Sequence, residues 1–270
     1  MKKIDAHLHF VENDEYFGKI AKLAGHENTA SHLKETYDRL GFVGGIVMGN
    51  RGLEMERHQY PEYLRYCIGL DSHYLATHDV QGSLDQVEKH LQRESCVGVK
   101  LYPGYTPIYV TDPIYDPVYE LAAHYNKAVA IHTGETAGPN AVLKYTHPLT
   151  LDEVAVRHPK TQLVMCHFGN PWFNDAAAVL SKNPNVAADL SGFLEGESDI
   201  GRLLRSKGGY LDILKAWLGY VGYEKLMFGT DWPLANLQEY IDFVDFLVPE
   251  RCREDVFYNH AVRIYGFPKD

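Results

Sequence analysis

The stretch KKIDAHLHF holds two histidines, His7 and His9, with one residue between them. On an extended strand such residues share a face and lie about 6.6 Å apart. Both imidazoles can then lean toward one point, where a metal with Zn–N bonds of about 2.0–2.1 Å fits. An isolated His-x-His pair also serves as ordinary packing, so its meaning depends on how other segments end. Four further apolar runs carry a chemically capable residue at or near their end. VGVKLY holds Lys100 in phase with Gly98 and Tyr102, and AVAIHTG holds His132 in phase with Ala128 and Ala130. QLVMCHFG holds His167, and LMFGTDWP holds Asp231. Gly, Pro or aromatic residues follow. Imidazoles, an amine and a carboxylate gathered at strand ends suit a metal centre that activates water or polarises a substrate. The helix-borne zinc motif His-Glu-x-x-His does not occur.

These side chains need a scaffold that brings them together. Short apolar runs begin at Lys2, Gly44, Leu64, Val97, Ala128, Gln162, Asn185 and Leu226. Stretches of helical character lie between most of them, at 83–94, 117–125, 151–157, 175–181 and 211–218. Strands alternating with helices predict βα units and a parallel sheet. Eight units in about 250 residues match an α/β fold of the (β/α)8 TIM-barrel type, whose strand C-termini converge on one mouth. On the first strand Ile4, Ala6 and Leu8 are expected on one face, with Asp5, His7 and His9 on the other. Segment 11–39 is expected to fold over the mouth as a helical N-terminal insertion. The tail after Pro249 is expected to form a closing C-terminal helix, which makes 1–270 a single domain. A doubly wound sheet would more often show Gly-x-Gly-x-x-Gly or Gly-x-x-x-x-Gly-Lys, and neither occurs.

Composition narrows the class. The formal charge of −10 argues against nucleic acid, because phosphate contacts need clustered Lys and Arg. No apolar run is long enough to span a bilayer, and the N-terminus shows no leader pattern, so a cytoplasmic protein is expected. Cys67, Cys96, Cys166 and Cys252 form no close pair and read as reduced thiols. A small-molecule substrate is the expected partner, and base rates alone favour a homodimer.

Loops after the strands offer substrate contacts. Arg51 could clamp a carboxylate or remain a surface arginine. Tyr102, Tyr105, Trp172 and Trp232 could line a ligand or pack the rim. Glu135 could orient His132 or face solvent, and Asp5 could bind backbone or orient a histidine. His58, His78, His90, His124, His147, His158 and His260 have no strand-end placement and read as structural or exposed. Thr150 and Glu153 suggest a capping box.

The pieces DAHLHF, GVKLYP, AIHTGE, HPLTLDEVAVRHPKTQLVMCHFGNPW, NPNVAADLSG and FGTDWP together resemble the amidohydrolase superfamily. The similarity is greatest to its amidohydrolase-related branch, which includes decarboxylases of the aminocarboxymuconate-semialdehyde and hydroxybenzoate type. The resemblance implies that His7, His9, His132 and Asp231 bind one divalent metal, Zn²⁺, with His167 beside it polarising water or substrate. In other branches a strand-four lysine is carboxylated and bridges two metals. Here that lysine would be Lys100, with His132 and His167 holding the second ion. The branch resembled here usually keeps one metal, which leaves Lys100 as a cationic contact for a substrate carboxylate. Tyr102 stands where many relatives carry histidine, and His7 where several of the decarboxylases carry glutamate. The expected activity is metal-dependent hydrolysis of a small, carboxylate-bearing amide, ester or lactone. The alternative is metal-dependent, non-oxidative decarboxylation of a small unsaturated or aromatic acid.

Overall fold

The computed structural model describes residues 1–70 and 79–268. Eight strands run parallel in chain order. They are β1 (Lys3–Leu8), β2 (Phe42–Met48), β3 (Leu64–Leu70), β4 (Cys96–Leu101), β5 (Ala128–Ile131), β6 (Leu163–Met165), β7 (Val186–Asp189) and β8 (Leu226–Met227). The ring closes between the segments of β8 and β1: Ala6 N donates to Phe228 O at 3.0 Å, and His9 N to Trp232 O at 2.7 Å. This is the expected (β/α)8 TIM barrel.

Strand alternation sorts the apolar residues into two layers. Ile46, Met48, Ala128, Ala130, Val164, Ala187 and Met227 fill the barrel interior. Val47, Ile68, Val129, Ile131, Leu163 and Met165 join the outer layer beneath the helices. Alanines at several interior positions keep the barrel core narrow, so larger side chains meet at its upper end.

Helices α1 (Glu15–Leu23) and α2 (Ala30–Leu40) come before β2. Asp14 caps α1 by accepting from Phe17 N, and Thr29 caps α2 by accepting from His32 N. Of the two helices, α1 lines the mouth through Tyr16, Phe17 and Ile20. Leu33 and Tyr37 of α2 pack into the outer layer beside Phe42, so α2 is a barrel helix and not part of an insertion. The helices that follow are α3 (Val80–Leu91), α4 (Asp116–His124), α5 (Leu149–Arg157), α6 (Phe173–Lys182), α7 (Ile200–Val221), α8 (Leu237–Leu247) and α9 (His260–Tyr265). The capping box expected at α5 is not formed. Its N-cap is Pro148 with no side-chain bond, and Thr150 Oγ1 donates back to His147 O at 2.8 Å.

The tail closes the bottom of the barrel. Ala261, Val262, Ile264, Tyr265 and Phe267 join Ile4, Ala6 and Val97 in the interior cluster. Gly44 is required there, because a Cβ would stand 2.4 Å from the Phe267 ring. No helix among the described residues is long and apolar enough to cross a membrane. The four cysteines are free.

Candidate metal centre

β1 does not keep one phase along its length. Ile4 and Ala6 lie inside the barrel, whereas Leu8 joins the outer layer. A register shift between Asp5 and Leu8 intervenes, so the expected common face of Asp5, His7 and His9 is not formed. Asp5 accepts from Thr230 N at 2.9 Å, Thr230 Oγ1 at 2.5 Å and Tyr37 Oη at 3.2 Å. Burial pushes its carboxyl up to about 7 despite those donors. His7 and His9, beyond the shift, turn toward Asp231. β4 changes phase in the same way. Val97 is interior and Val99 and Leu101 are outer, with a register shift in the β3–β4 pairing.

Two site residues need unusual backbone. Cys166 is interior, so simple alternation would send His167 outward. His167 instead adopts φ 62°, and Asp231 adopts φ 60°. Such left-handed non-glycine residues cost on the order of 1–3 kcal/mol each, and they persist where the surroundings over-determine them. Asp189 Oδ1 accepts from His167 N at 2.9 Å, and His7 O accepts from Asp231 N at 2.8 Å.

Hydrogen-bond partners assign the imidazole protons. His7 Nδ1 lies 2.9 Å from Asp189 Oδ2, and His9 Nδ1 lies 3.2 Å from Met48 O. Ionised carboxylates and carbonyls only accept, so both Nδ1 atoms donate and both Nε2 atoms hold lone pairs. His7 Nε2 and His9 Nε2 lie 3.5 and 3.2 Å from Asp231 Oδ1. Neither His7 Nε2 nor Asp231 Oδ1 has a hydrogen-bond partner. The three ligand atoms lie within 4.8 Å of one another. Three electron-rich atoms with no proton among them repel unless a cation joins them. Two imidazoles and a carboxylate are a donor set suited to a divalent transition metal.

His132 is not in this group. Its Nε2 donates to Glu135 O at 3.1 Å, and its Nδ1 faces His167 Nε2 at 3.1 Å. Glu135 thus holds His132 through its backbone, and its side chain is exposed. Lys100 is fully buried, with Nζ 2.8 Å from Cys166 Sγ and 5.3 Å from the centre of the Tyr102 ring. Among the described residues, no carboxylate lies within salt-bridge distance of it.

A cavity of about 510 Å³ opens above, with His9, Lys100, His132, His167 and Asp231 at its polar end. Tyr16, Phe17 and Ile20 of α1, with Leu53, Leu70, Tyr102, Tyr105 and Leu234, supply apolar and aromatic wall. Burial, with Lys100 adding to it, pulls the His7 imidazole down to about 4 against the attraction of Asp189 and Asp231. Burial likewise lowers His132 and His167. Burial alone would raise Asp231, but the attraction between its carboxylate and any proton on His9, His7 or His167 outweighs burial and holds the carboxyl far below the usual carboxylate range. The centre therefore combines a neutral His7 with an ionised Asp231.

The loop residues divide. Tyr102 and Tyr105 line the cavity, and Tyr102 Oη donates to Met48 O and Gly49 O, each at 3.1 Å. Arg51 does not line it. Arg51 pairs with Asp14 at 3.1 Å and is exposed, because the helix-capping carboxylate at the start of α1 is the nearer anion. Trp172 packs on His147, and the buried Trp232 packs on His26 and His32, so both tryptophans serve the rim. His58, His90, His158 and His260 bond to structural partners away from the mouth. His147 faces Asp175, and His124 packs on Tyr125. His78 lies outside the described residues.

Two residues escaped sequence reasoning. Asp189, fully buried at the end of β7, accepts from both His7 and Ser191. The signal was present: Asp189 ends the apolar run NVAAD as His132 ends AVAIH. Ser191, also buried, carries no comparable mark in the sequence.

No curated protein matches the chain by sequence. Solved structures resemble it over nearly its full length. An uncharacterised TIM-barrel protein from Bordetella bronchiseptica matches with a TM-score of 0.75 and 20% identity, over 98% of this chain and 99% of that one. A probable 2-pyrone-4,6-dicarboxylic acid hydrolase from Acinetobacter baumannii, with citric acid bound, gives 0.67 and 18%, over 99% and 100%. A dihydroxybenzoic acid decarboxylase from Polaromonas, with manganese and the inhibitor 2-nitroresorcinol bound, gives 0.71 and 14%, over 100% and 98%. At such identities the likeness concerns the barrel. The family profile described as amidohydrolase spans residues 4–267. By that match, the chain belongs to the amidohydrolase family.

Proposed function

We propose that the chain is a zinc-dependent hydrolase of a small, carboxylate-bearing amide, ester or lactone. The observation that carries this reading is the convergence of His7 Nε2, His9 Nε2 and Asp231 Oδ1, with no proton among them, at the polar end of a cavity. These three residues would hold the ion. The manganese in the Polaromonas decarboxylase supports a divalent ion, and two imidazoles with one carboxylate suit zinc. When bound, such an ion lowers the pKa of a water from about 15.7 toward about 7 and polarises a carbonyl.

The chain's own residues supply the rest. Asp231 is ionised and can take the proton that an attacking water gives up. His167 can receive a proton on its neutral Nε2. The expected role of His167 as a donor to an oxyanion would need that proton beforehand, and its Nδ1 contact with Ser191 works against it. Lys100 is buried with no carboxylate beside it among the described residues, which suits one substrate carboxylate. Tyr16 and Phe17 shield the reacting end from solvent.

Hydrolysis is favoured over decarboxylation because this end of the cavity is rich in proton acceptors. Decarboxylation must place a proton on carbon, and Lys100 and Tyr105 are the donors nearest to that task. The second reading keeps one supporting observation: Tyr16, Phe17, Tyr102 and Tyr105 offer faces for a flat acid. A single ion is favoured because the Lys100 amine is engaged by Cys166 Sγ. A panel of carboxylated aryl esters, lactones, anilides and aromatic acids, incubated with zinc-loaded protein, tests the reading. Acid release without CO₂ and one equivalent of zinc per chain are expected. CO₂ evolution would reject hydrolysis, and two equivalents with added mass at Lys100 would reject the single ion.

A further inference from the structure

His7 and His167 lie 160 residues apart in the chain, yet one carboxylate addresses both. Asp189 Oδ2 accepts from His7 Nδ1 at 2.9 Å. Asp189 Oδ1 accepts from Ser191 Oγ at 2.5 Å, from His167 N at 2.9 Å and from Ser191 N at 3.2 Å. Four donors pointed at it favour the ionised carboxylate over the protonated one.

Ser191 completes the chain. A hydroxyl has one hydrogen. Two oxygens 2.5 Å apart need a proton between them, so that hydrogen goes to Asp189. Ser191 Oγ must then accept at its second contact, 2.8 Å from His167 Nδ1. His167 therefore carries its proton on Nδ1, and its Nε2 lone pair faces His132 Nδ1 at 3.1 Å. Gly192 permits the approach: it adopts φ +71°, and a Cβ there would stand 2.5 Å from His167 Nδ1. All the participating side chains are buried, so water does not compete for these bonds.

We propose that Asp189 and Ser191 are positioning residues that lock His7 and His167 as Nδ1–H tautomers, so that the His7 Nε2 lone pair faces the cation site and the His167 Nε2 lone pair faces His132 beside it. Asp189 acts on His7 directly and on His167 through Ser191. The tautomer assignment stands on geometry alone. Its consequence for metal binding rests on the reading given under Proposed function.

Each arm has its own variant. Ser191→Ala removes the acceptor from His167 Nδ1–H and leaves the Asp189–His7 bond in place. His167 then gains by moving its proton to Nε2, where His132 Nδ1 accepts it. Asp189→Asn presents an amide N–H₂ to one of its two partners. Turned toward His7, it converts Nδ1 to an acceptor and moves the His7 proton to Nε2. Ser191→Thr keeps the hydroxyl and serves as the rescue.

The test is long-range ¹H–¹⁵N correlation of the imidazoles in metal-free protein at pH 8, with zinc affinity measured by competition against a chromophoric chelator. In the wild type, His7 and His167 should both be protonated on Nδ1. Ser191→Ala should move only the His167 proton, Ser191→Thr should restore it, and Asp189→Asn should weaken zinc by about 10–100-fold. Retention of the His167 proton on Nδ1 in a folded Ser191→Ala protein would overturn the proposal. Correct tautomers with no zinc binding in any variant would instead sink the metal reading and leave the tautomer lock standing.

Discussion

His9 Nε2 stands 3.2 Å from Asp231 Oδ1, and the His9 proton is on the far nitrogen, bonded to Met48 O at 3.2 Å. Lone pair therefore faces lone pair across this contact. Asp231→Asn replaces one of them with an N–H donor. The metal-free variant should unfold at the wild-type temperature or above it, although a buried charged residue has been changed. Zinc at about 100 times its Kd should stabilise the wild type by about 2.7 kcal/mol, and the variant by far less. Calorimetry with and without chelator reads both effects. A metal-free variant well below wild type that kept the full zinc gain would refute the repulsion.

Lys100 tests the charge that the cavity accepts. No other lysine or arginine lines the cavity, and segment 71–78, which is not described, contains neither. A second carboxylate would meet the apolar wall, at a cost of several kcal/mol for an unpaired buried charge. Benzoate should therefore bind metal-free protein at least tenfold more tightly than benzamide or isophthalate. Lys100→Met should erase the preference for benzoate and leave benzamide binding unchanged. Calorimetric titration of the three probes decides it, and isophthalate binding as well as benzoate would contradict the single-cation cavity.

Arg51 provides a contrast. Its pair with Asp14 is exposed, and such pairs contribute about 0–1 kcal/mol. Arg51→Ala should change thermal stability by no more than that and leave zinc and benzoate affinity unaltered. A tenfold loss of benzoate affinity would return Arg51 to the role of carboxylate clamp that its sequence position first suggested.

His26 governs acid sensitivity at the lid. Its Nε2 accepts from Leu237 N at 3.2 Å, so Nδ1 carries the proton toward His32 Nε2 at 3.1 Å. Burial, aided by His32 and Arg39, pulls this imidazole down to about 4. Between pH 4 and 6.5 the unfolded chain binds the proton and the folded chain does not. The folded state is thus fully favoured above 6.5 and loses stability as pH falls toward 4. At pH 4.5 this residue therefore lowers stability relative to pH 7. His26→Asn should flatten the pH dependence of urea unfolding over this window, and an unchanged slope would contradict the assignment.

Much of the fold was legible because a parallel barrel repeats one signal. Each strand is an apolar run, and LRYCIGL matches β3 residue for residue. The site was legible because polar residues at the ends of such runs had few other uses. Three features were not. The register shift in β1 parted Asp5 from the face of His7 and His9 and set it on the Thr230 backbone, one of its two expected roles, and no residue in DAHLHF marks a bulge. The left-handed turn at His167 reversed the direction that alternation predicts, and such a turn reflects tertiary constraint and not local propensity. Ser191 was invisible because its importance lies in one contact across the barrel, 2.8 Å to His167 Nδ1. Arg51 was left open between a clamp and a surface arginine for a related reason, since its partner Asp14 lies 37 residues earlier in the chain.

The most direct measurement is anomalous diffraction at the zinc edge from crystals grown with added zinc. The account predicts one strong peak bonded to His7 Nε2, His9 Nε2 and an Asp231 oxygen, at about 2.0–2.2 Å from each. A map with no peak between these residues, or with zinc bound only elsewhere, would contradict it.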